Sequence, residues 1–321
     1  MPGVQEAGRT RGGHGRPADG AGAYGGPVPD SPASRPFSQV DVFTAEPYRG
    51  NSVAVVHDAD GLSDAQMAAF ARWTNLSETT FLLRPTDPSA DYGLRIFTPG
   101  GELPFAGHPT LGSCHAWLSR GGVPADRDRV VQECGVGLVP LRTDGDRLRF
   151  AAPPPLVDAP VDDETLRRSV AALGLPPEAV LDHRFLDNGP RWNVLLLDSA
   201  ERVLALRPDW AALGDVHVGV VGPHPAGGEA VFELRGFVPG IGVPEDPVTG
   251  SLNAVVGQWL IGSGRAPERY VAAQGTVLDR AGRIHVERDA DGTVWVGGDT
   301  VTCIEGTVRD HPTSPADPVA G

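Results

Sequence analysis

Two polar residues of this chain, His108 and Asp246, stand at matching places in two stretches of similar sequence. Each is followed by a proline and then by a mostly apolar segment, which we predict to be a buried helix because it offers little polar surface. An imidazole and a carboxylate at such helix starts are suited to orienting a substrate and relaying protons. For either residue alone, a helix cap or a packing residue of a tight turn is an equally good interpretation.

The two stretches are residues 97–113, FTPGGELPFAGHPTLGS, and residues 237–251, FVPGIGVPEDPVTGS. Four residues of the first stretch recur 140 positions later: Phe97, Pro99, Gly100 and Pro104. After a slip of two residues, the pair His108-Pro109 matches the pair Asp246-Pro247. We interpret this pattern as a duplicated unit. One polar residue from each copy predicts a site where the two copies meet.

A third candidate, Glu78, lies in the Ser/Thr-rich segment NLSETTF between two apolar runs. A carboxyl that is partly removed from water has a raised pKa and becomes a usable general acid or base near neutral pH. A solvated glutamate at a strand end is the alternative, and the residue type alone favours that alternative.

The chain has 321 residues, enough for two domains with apolar cores, and a formal net charge of −14. This charge argues against nucleic acid and anionic membranes as partners, but it does not exclude a small anionic substrate. Three scattered cysteines, without a CxxC pair or zinc spacing, favour a reducing, cytoplasmic setting. No apolar run approaches the length of a transmembrane helix.

Helices and strands must position these candidates. Ser63 and Gln66 have the spacing of a capping box, which predicts a helix from residue 63 to about residue 75. Its predicted core face carries four residues: Met67, Phe70, Ala71 and Trp73. Residues 109–119 and 251–261 are apolar nearly all round and predict two fully buried helices. Alternating segments near the end of the chain predict antiparallel strands at 276–278, 283–286, 294–297 and 301–306.

A core helix wrapped by mostly antiparallel strands, twice in one chain, predicts an α+β fold of two similar barrel-like domains. We place these domains at residues 37–152 and 153–308, with the proline run at 153–155 as the linker. The flanking segments 1–36 and 309–321 are predicted to be disordered tails, because they are poor in large aliphatic residues. A doubly wound parallel fold is the competitor, but the strand-rich C-terminal segment argues against it.

Four blocks of the sequence resemble the signature blocks of the PhzF-like phenazine-biosynthesis isomerase family: GNSVAVV, NLSETTF, FTPGGELPFAGHPTLG and DPVTGS. The similarity extends over about residues 38–308. The resemblance implies the diaminopimelate-epimerase fold, in which two similar domains each curl a sheet around a central helix and enclose the active site. It also implies a homodimer.

The same resemblance implies roles for individual residues. Glu78 occupies the place of the family's proton-transfer glutamate, so the balance shifts from a solvated strand-end residue to a catalytic one. His108 and Asp246 correspond to pocket residues, and Ser251 corresponds to a serine that contacts substrate. A first-turn serine without a ligand is the alternative for Ser251.

The starts of the two buried helices also supply unpaired backbone N–H groups and positive dipole ends. Gly107 and Gly250 would let the backbone approach a ligand closely, because glycine has no Cβ. Two such ends that converge would hold a substrate carboxylate and would stabilise charge that spreads from it during proton transfer.

Cofactor-independent epimerases of this fold are similar to the chain but use two thiols, one in each half. Ala106 and Thr249 stand at those places here. Cys114 lies inside a buried helix and is predicted to pack in the core. The duplicate of Glu78 falls near Val216-His217, where there is no carboxylate. A single carboxylate favours moving a proton from one carbon to another on the same face of a substrate.

These observations predict a cofactor-independent isomerase that acts on a small cyclic unsaturated amino or hydroxy acid, dihydro-hydroxyanthranilate-like by resemblance. A racemase or epimerase with Glu78 and Asp246 as opposed bases is one alternative, and a non-catalytic ligand-binding protein on this fold is another. No cofactor and no metal are implied, since the sequence carries no dinucleotide fingerprint, no phosphate loop and no metal motif.

Overall fold

The computed structural model describes residues 34–145, 147–241 and 243–310. The predicted disordered tails, 1–36 and 309–321, fall almost entirely outside these residues. Where they overlap the described residues, the prediction needs correction: residues 34–36 pair with residues 307–309 as antiparallel strands. Arg35 also bonds to Asp310 at 2.7 Å, so backbone pairing and an ion pair hold the two ends together.

The chain is built from two runs of elements that share a common order, but the second run has an additional strand and helix at its start, an additional short helix within it and an additional strand at its end. The first run comprises β1 (Ser34–Val42), β2 (Asn51–Val56), α1 (Asp64–Thr74), β3 (Glu78–Leu83), β4 (Tyr92–Thr98), β5 (Gly101–Leu103), α2 (Gly107–Ser119), β6 (Arg129–Cys134), β7 (Gly137–Asp144) and β8 (Arg147–Ala151). The second run comprises β9 (Val157–Ala159), α3 (Asp163–Ala172), β10 (Val180–Asp187), β11 (Arg191–Leu197), α4 (Ala200–Ala205), α5 (Trp210–Leu213), β12 (Val218–Pro223), β13 (Phe232–Phe237), β14 (Glu245–Asp246), α6 (Gly250–Gly262), β15 (Arg269–Gln274), β16 (Gly282–Arg288), β17 (Val294–Gly298) and β18 (Thr300–Arg309).

Strand pairing repeats in the same pattern in both runs. β1–β2 and β3–β4 are antiparallel, whereas β2–β3 and β4–β6 are parallel. β10–β11 and β12–β13 are likewise antiparallel, and β11–β12 and β13–β15 are parallel. β8 pairs with β17, so the two halves share one continuous sheet. Antiparallel pairs predominate, and the predicted α+β class is confirmed.

Each half curls its sheet around one apolar helix. α2 packs on β1, β2, β3 and β8, and α6 packs on β16 and β17. Both helices contribute to one core cluster, to which Leu111 and Leu252 belong. At Gly112 the helix lies so close to β2 that an added Cβ would come within 2.3 Å of the Val53 side chain. Close packing of this kind fixes the positions of both helix starts.

Helix α1 has the predicted capping box between Ser63 and Gln66. Met67 and Ala71 are buried as predicted, but Trp73 is 79% exposed, so its predicted place in the core is wrong. The geometry explains the error. Trp73 follows Ala71 by two residues and therefore lies about 200° around the helix from the buried face.

The predicted strand at residues 276–278 is also wrong. Those residues form a short 3-10 turn, Thr276–Leu278. Gly275 and Asp279 on either side have left-handed backbone conformations, with φ of 93° and 57°, and such residues bend the chain instead of extending it. The strand in this region is β15, which ends just before the turn and pairs with β13 and β16.

Candidate active site

The starts of α2 and α6 lie against each other. A Cβ added to Gly107 would be 2.9 Å from the Cα of Gly250, and the converse distance is also 2.9 Å. Only glycine at both positions permits this approach. Neither helix has a side-chain cap, since Ala106 and Thr249 at the N-cap positions make no capping hydrogen bond. Two helix N-termini therefore converge on one point, and their glycines serve first to bring the helices together.

Glu78 is the first residue of β3, and its side chain is 13% exposed. One carboxyl oxygen lies 3.3 Å from Nε2 of His108. Burial, together with the negative charge of Asp246, raises the pKa of Glu78 well above its usual range. Both conditions favour a protonated carboxyl in the resting site.

His108 is the second residue of α2, in its first turn, and its side chain is 4% exposed. Burial lowers the pKa of this imidazole to about 3, although a hydrogen bond with the backbone of Ser52 opposes the effect. The ring is therefore neutral at physiological pH. Nδ1 lies 3.3 Å from the Asn51 amide nitrogen, and Nε2 is the nitrogen that faces Glu78.

Asn51 connects the two halves at the site. Its amide nitrogen donates to Oδ1 of Asp246 at 2.8 Å and to the carbonyl oxygen of Val248 at 2.9 Å. Asn51 is the buried first residue of β2. It belongs to the block GNSVAVV, but this bridge could not be predicted from the sequence, because Asp246 is 195 positions away.

Ser251 is the second residue of α6, and its hydroxyl oxygen accepts a hydrogen bond from Trp192 Nε1 at 3.2 Å. The side chain of Asn188 donates to the backbone carbonyl of Ser251 at 3.1 Å. Because the indole already donates to the serine oxygen, the hydroxyl hydrogen remains available to a ligand. Trp192 is a site residue that sequence reasoning missed.

A cavity of about 880 Å³ opens onto these groups. All six residues that the sequence put forward line it: Glu78, Gly107, His108, Asp246, Gly250 and Ser251. The structure therefore brings the whole predicted set to one place. Their roles toward a substrate remain predictions.

The register corrects the predicted correspondence between the halves. Thr79 pairs with Phe97 and Val218 pairs with Phe237, so these strands match in the order in which the sequence aligned them. In β5 and β14, however, Leu103 takes the position of Asp246. His108 and Ser251 are each the second residue of the central helix. His108 thus corresponds to Ser251 and not to Asp246, which lies in β14 before the helix begins.

Cys114 is fully buried in α2, as predicted, and burial raises the pKa of its thiol to about 12. A thiol of this kind does not ionise near neutral pH and does not serve as an acid or base there. Ala106 and Thr249 carry no thiol at the helix starts. The described residues thus offer no pair of facing cysteines in the cavity.

We expect thiol modification of the folded protein to leave its activity unchanged within about twofold, because the only cysteine near the helix core is inaccessible. Incubation with iodoacetamide, followed by mass spectrometry and an activity assay, checks this. Complete loss of activity on alkylation of Cys134 or Cys303 alone would contradict the placement of the site.

Asp246 gives a second prediction, for stability. Burial raises its pKa to about 6, above the value of about 4 in an unfolded chain. The folded state then binds this proton more tightly, so stability from this group falls as pH rises from about 4 to 6 and is level above that window.

Asp246→Asn removes this cost. We compare the free energy of unfolding of the variant with that of the wild type at pH 4 and at pH 7. The difference, variant minus wild type, should be more positive at pH 7 than at pH 4 by on the order of 1–3 kcal/mol. Urea unfolding of both proteins at the two pH values measures the difference, in which titrating groups that do not interact with Asp246 cancel. Glu78 adds to the difference in the same direction, because the substitution removes the charge that helps to raise its pKa. An equal pH dependence in the two proteins would contradict the raised pKa.

Among the described residues, no helix combines the length and apolar character needed to cross a membrane. Within the same ranges, no three His, Cys, Asp or Glu side chains are grouped so that they could hold a metal ion.

The fold and the cavity place the chain among isomerases and epimerases of this architecture. A solved structure of a predicted epimerase from Pseudomonas aeruginosa matches with a TM-score of 0.71 and 30% identity, over 87% of this chain and 100% of that one. The family model for phenazine biosynthesis-like proteins, PhzC-PhzF, matches residues 40–306. The chain belongs to this family, and it is an isomerase.

Curated relatives match over most of their length. Trans-2,3-dihydro-3-hydroxyanthranilate isomerase from Pseudomonas aeruginosa is 36% identical over 278 residues, which cover 83% of this chain and 96% of that protein. A protein named antisense-enhancing sequence 1 from Schizosaccharomyces pombe is 39% identical over 289 residues, which cover 84% of this chain and 97% of that protein. The predicted family membership is confirmed.

Proposed function

We propose that this protein is a cofactor-independent isomerase that moves a proton within a small cyclic unsaturated amino or hydroxy acid, with Glu78 as the general acid and base. The observation that carries the proposal is the buried Glu78 carboxyl, 3.3 Å from a neutral imidazole and open to the cavity. A raised pKa brings both protonation states of Glu78 within reach near neutral pH.

The proposed reaction balances without a co-reactant. Glu78, once it has released its resting proton to the solvent, takes a proton from one ring carbon, and the electron pair left behind spreads over the conjugated system. The carboxyl of Glu78, now protonated, returns a proton to another carbon on the same face, so one double bond moves and the enzyme is regenerated. Nε2 of His108 lies 3.3 Å from the Glu78 carboxyl and has no hydrogen-bond partner among the described residues, so it is the group proposed to steady that carboxyl. Asn51 donates its two amide hydrogens to Asp246 and Val248 and thereby fixes Asp246 beside the His108 ring.

The substrate carboxylate is proposed to bind where α2 and α6 meet. The two helix starts lack side-chain caps, so their first backbone N–H groups can donate to an anion. The free hydroxyl hydrogen of Ser251 adds another donor. These donors would also stabilise negative charge that reaches the carboxylate as the proton leaves the ring.

The test uses trans-2,3-dihydro-3-hydroxyanthranilate, the substrate in the name of a relative that is 36% identical. We expect the protein alone, after dialysis against chelator, to relocate a double bond of this acid in heavy water. Deuterium enters at the newly protonated carbon to the extent that the Glu78 carboxyl exchanges its proton with the solvent before it returns one. Proton and carbon NMR of the product measure both events. Absence of turnover and of exchange, with this acid and with related cyclic dienoic acids, would overturn the proposal.

A racemase or epimerase is the second candidate. Asp246 lines the same cavity with a raised pKa, so it is a possible second base, and a solved structure with 30% identity is described as a predicted epimerase. The NMR experiment separates the two. Inversion at one carbon without movement of a double bond would favour the epimerase.

We also propose that the protein acts as a cytoplasmic homodimer. Family resemblance supports the dimer, and the scattered free cysteines suit a reducing compartment. Light scattering coupled to gel filtration is expected to give twice the mass of one chain. A mass of a single chain at micromolar concentration would contradict the dimer.

A further inference from the structure

A second titratable side chain, His217, occupies the position that the duplication assigns to the counterpart of Glu78. Glu78 directly precedes the residue of β3 that pairs with Phe97, and His217 directly precedes the residue of β12 that pairs with Phe237. Both side chains line the same cavity. His217 therefore holds, in the second half of the chain, the strand position that Glu78 holds in the first half.

The backbone fixes His217 in place. Its carbonyl oxygen accepts hydrogen bonds from the backbone N–H and the side-chain amide of Asn193, both at 3.1 Å. The imidazole lies against Trp192 with ring centroids 5.7 Å apart and the ring planes tilted by 45°. Neither ring nitrogen has a hydrogen-bond partner among the described residues, and the ring is half-buried. A residue that lines the cavity thus carries two polar atoms that the described residues leave unused.

Trp192 links this histidine to the rest of the site. Its ring lies against His217, and its Nε1 donates to Ser251. The three side chains, all from the second half of the chain, form one continuous wall of the cavity. A ligand whose carboxylate is held at the helix starts would present its other substituents to this wall.

The charge state and the hydrogen-bonding groups of His217 indicate which substituents of a ligand this wall can bind. Burial lowers the pKa of His217, and the negative charge of Asp215 works against this effect. A neutral imidazole offers one donor and one acceptor. The cavity lining also includes Asp162, Asp215 and Arg191, so its charges alone do not exclude a second carboxylate. The donor and the acceptor of the imidazole suit an amino or hydroxyl group.

We propose that His217 is a specificity residue that hydrogen-bonds an amino or hydroxyl substituent of the substrate on the side of the cavity away from Glu78. The inference rests on the proposed function, since it presumes a cyclic acid whose carboxylate lies at the helix starts. It adds which side chain recognises the amino or hydroxyl group of that acid, namely His217 in the wall that it forms with Trp192 and Ser251.

Calorimetric binding of three stable aromatic acids tests the proposal. 3-Hydroxyanthranilate carries both substituents, anthranilate lacks the hydroxyl, and 3-hydroxybenzoate lacks the amino group. His217→Phe keeps an aromatic ring against Trp192 but removes both nitrogens. His285→Phe is the matched control, because His285 is also half-buried, has no side-chain hydrogen bond in the described residues and lies outside the cavity.

We expect the wild type to lose about threefold to tenfold in affinity when the contacted substituent is removed from the ligand. His217→Phe should bind 3-hydroxyanthranilate more weakly by a similar factor and should no longer discriminate for that substituent, as in a double-mutant cycle. His285→Phe should behave as the wild type. His217→Leu replaces the phenylalanine variant in the same comparison if the latter does not fold.

The outcomes are distinct. Unchanged discrimination in the folded His217 variant would overturn this inference and leave the proposed function intact. Failure of all three acids to bind the wild type, together with no turnover of the dihydro acid, would overturn the proposed function and this inference with it.

Discussion

Glu78→Gln is expected to lower kcat for the dihydro-hydroxyanthranilate by at least about 100-fold, the usual effect of removing one acid or base. Glutamine keeps the shape of the side chain and can still contact His108 Nε2, but it cannot carry the transferred proton. Binding of 3-hydroxyanthranilate should change by less than about threefold, since the neutral amide resembles the protonated carboxyl of the resting site.

Glu233→Gln is the matched control. Glu233 is also a buried glutamate, with 2% of its surface exposed, but it bonds to His224 and Thr276 away from the cavity. This variant should keep kcat within about twofold even if its melting temperature falls. A loss of less than tenfold for Glu78→Gln, or an equal loss for both variants, would remove Glu78 from the proton-transfer role.

Gly107→Ala and Gly250→Ala are expected to have the second largest effects. Each new Cβ would lie 2.9 Å from the Cα of the other glycine, and the one at residue 107 would also lie 2.9 Å from the Phe150 ring. Backbone contacts of this kind do not relax cheaply, so we expect a cost of about 1–3 kcal/mol in stability. Because the added Cβ pushes the two helix starts apart and displaces the side chains of the site, kcat/KM should also fall by more than about tenfold.

Gly262→Ala is the control, because it is the last residue of α6 and an added Cβ there would have no neighbouring atom within 4 Å. This variant should be as stable as the wild type or more stable by about 0.5–1 kcal/mol, since alanine favours helix. Urea unfolding and steady-state kinetics on the three variants give the comparison. Alanine at 107 or 250 that unfolds like the control would contradict the contact between the helices.

The duplication, the two buried helices and the cavity residues could be predicted from the sequence, because each is marked by a local pattern or by a signature block. Apolar residues on every side predict a buried helix, as α2 and α6 confirm. The matching pairs His108-Pro109 and Asp246-Pro247 suggested that His108 and Asp246 are counterparts in the two halves. Strand register shows otherwise, because the turn at Pro239–Ile241 and the residues after it lengthen the second copy before β14 begins.

Other features left no local trace. Trp192 and His217 line the cavity and Asn51 bonds to Asp246 because distant strands lie side by side, and the residue types alone indicate nothing about a site. Trp73 was misplaced since a short helix with weak periodicity does not define its buried face. Residues 276–278 alternate like a strand. The residues on either side have left-handed backbone conformations, and at Gly275 the close contacts with Pro247 and Arg280 that favour glycine come from tertiary packing, which the local sequence does not show.

The claim on which the account depends is that the Glu78 carboxyl is withdrawn from water and holds its proton near neutral pH. Infrared difference spectra between the wild type and Glu78→Gln, recorded from pH 3 to pH 9, report the protonated carboxyl band of this one residue. We expect the band to persist well above pH 4.3, the ordinary midpoint of a glutamate. Its disappearance with a midpoint at or below about 4.3 would contradict the account.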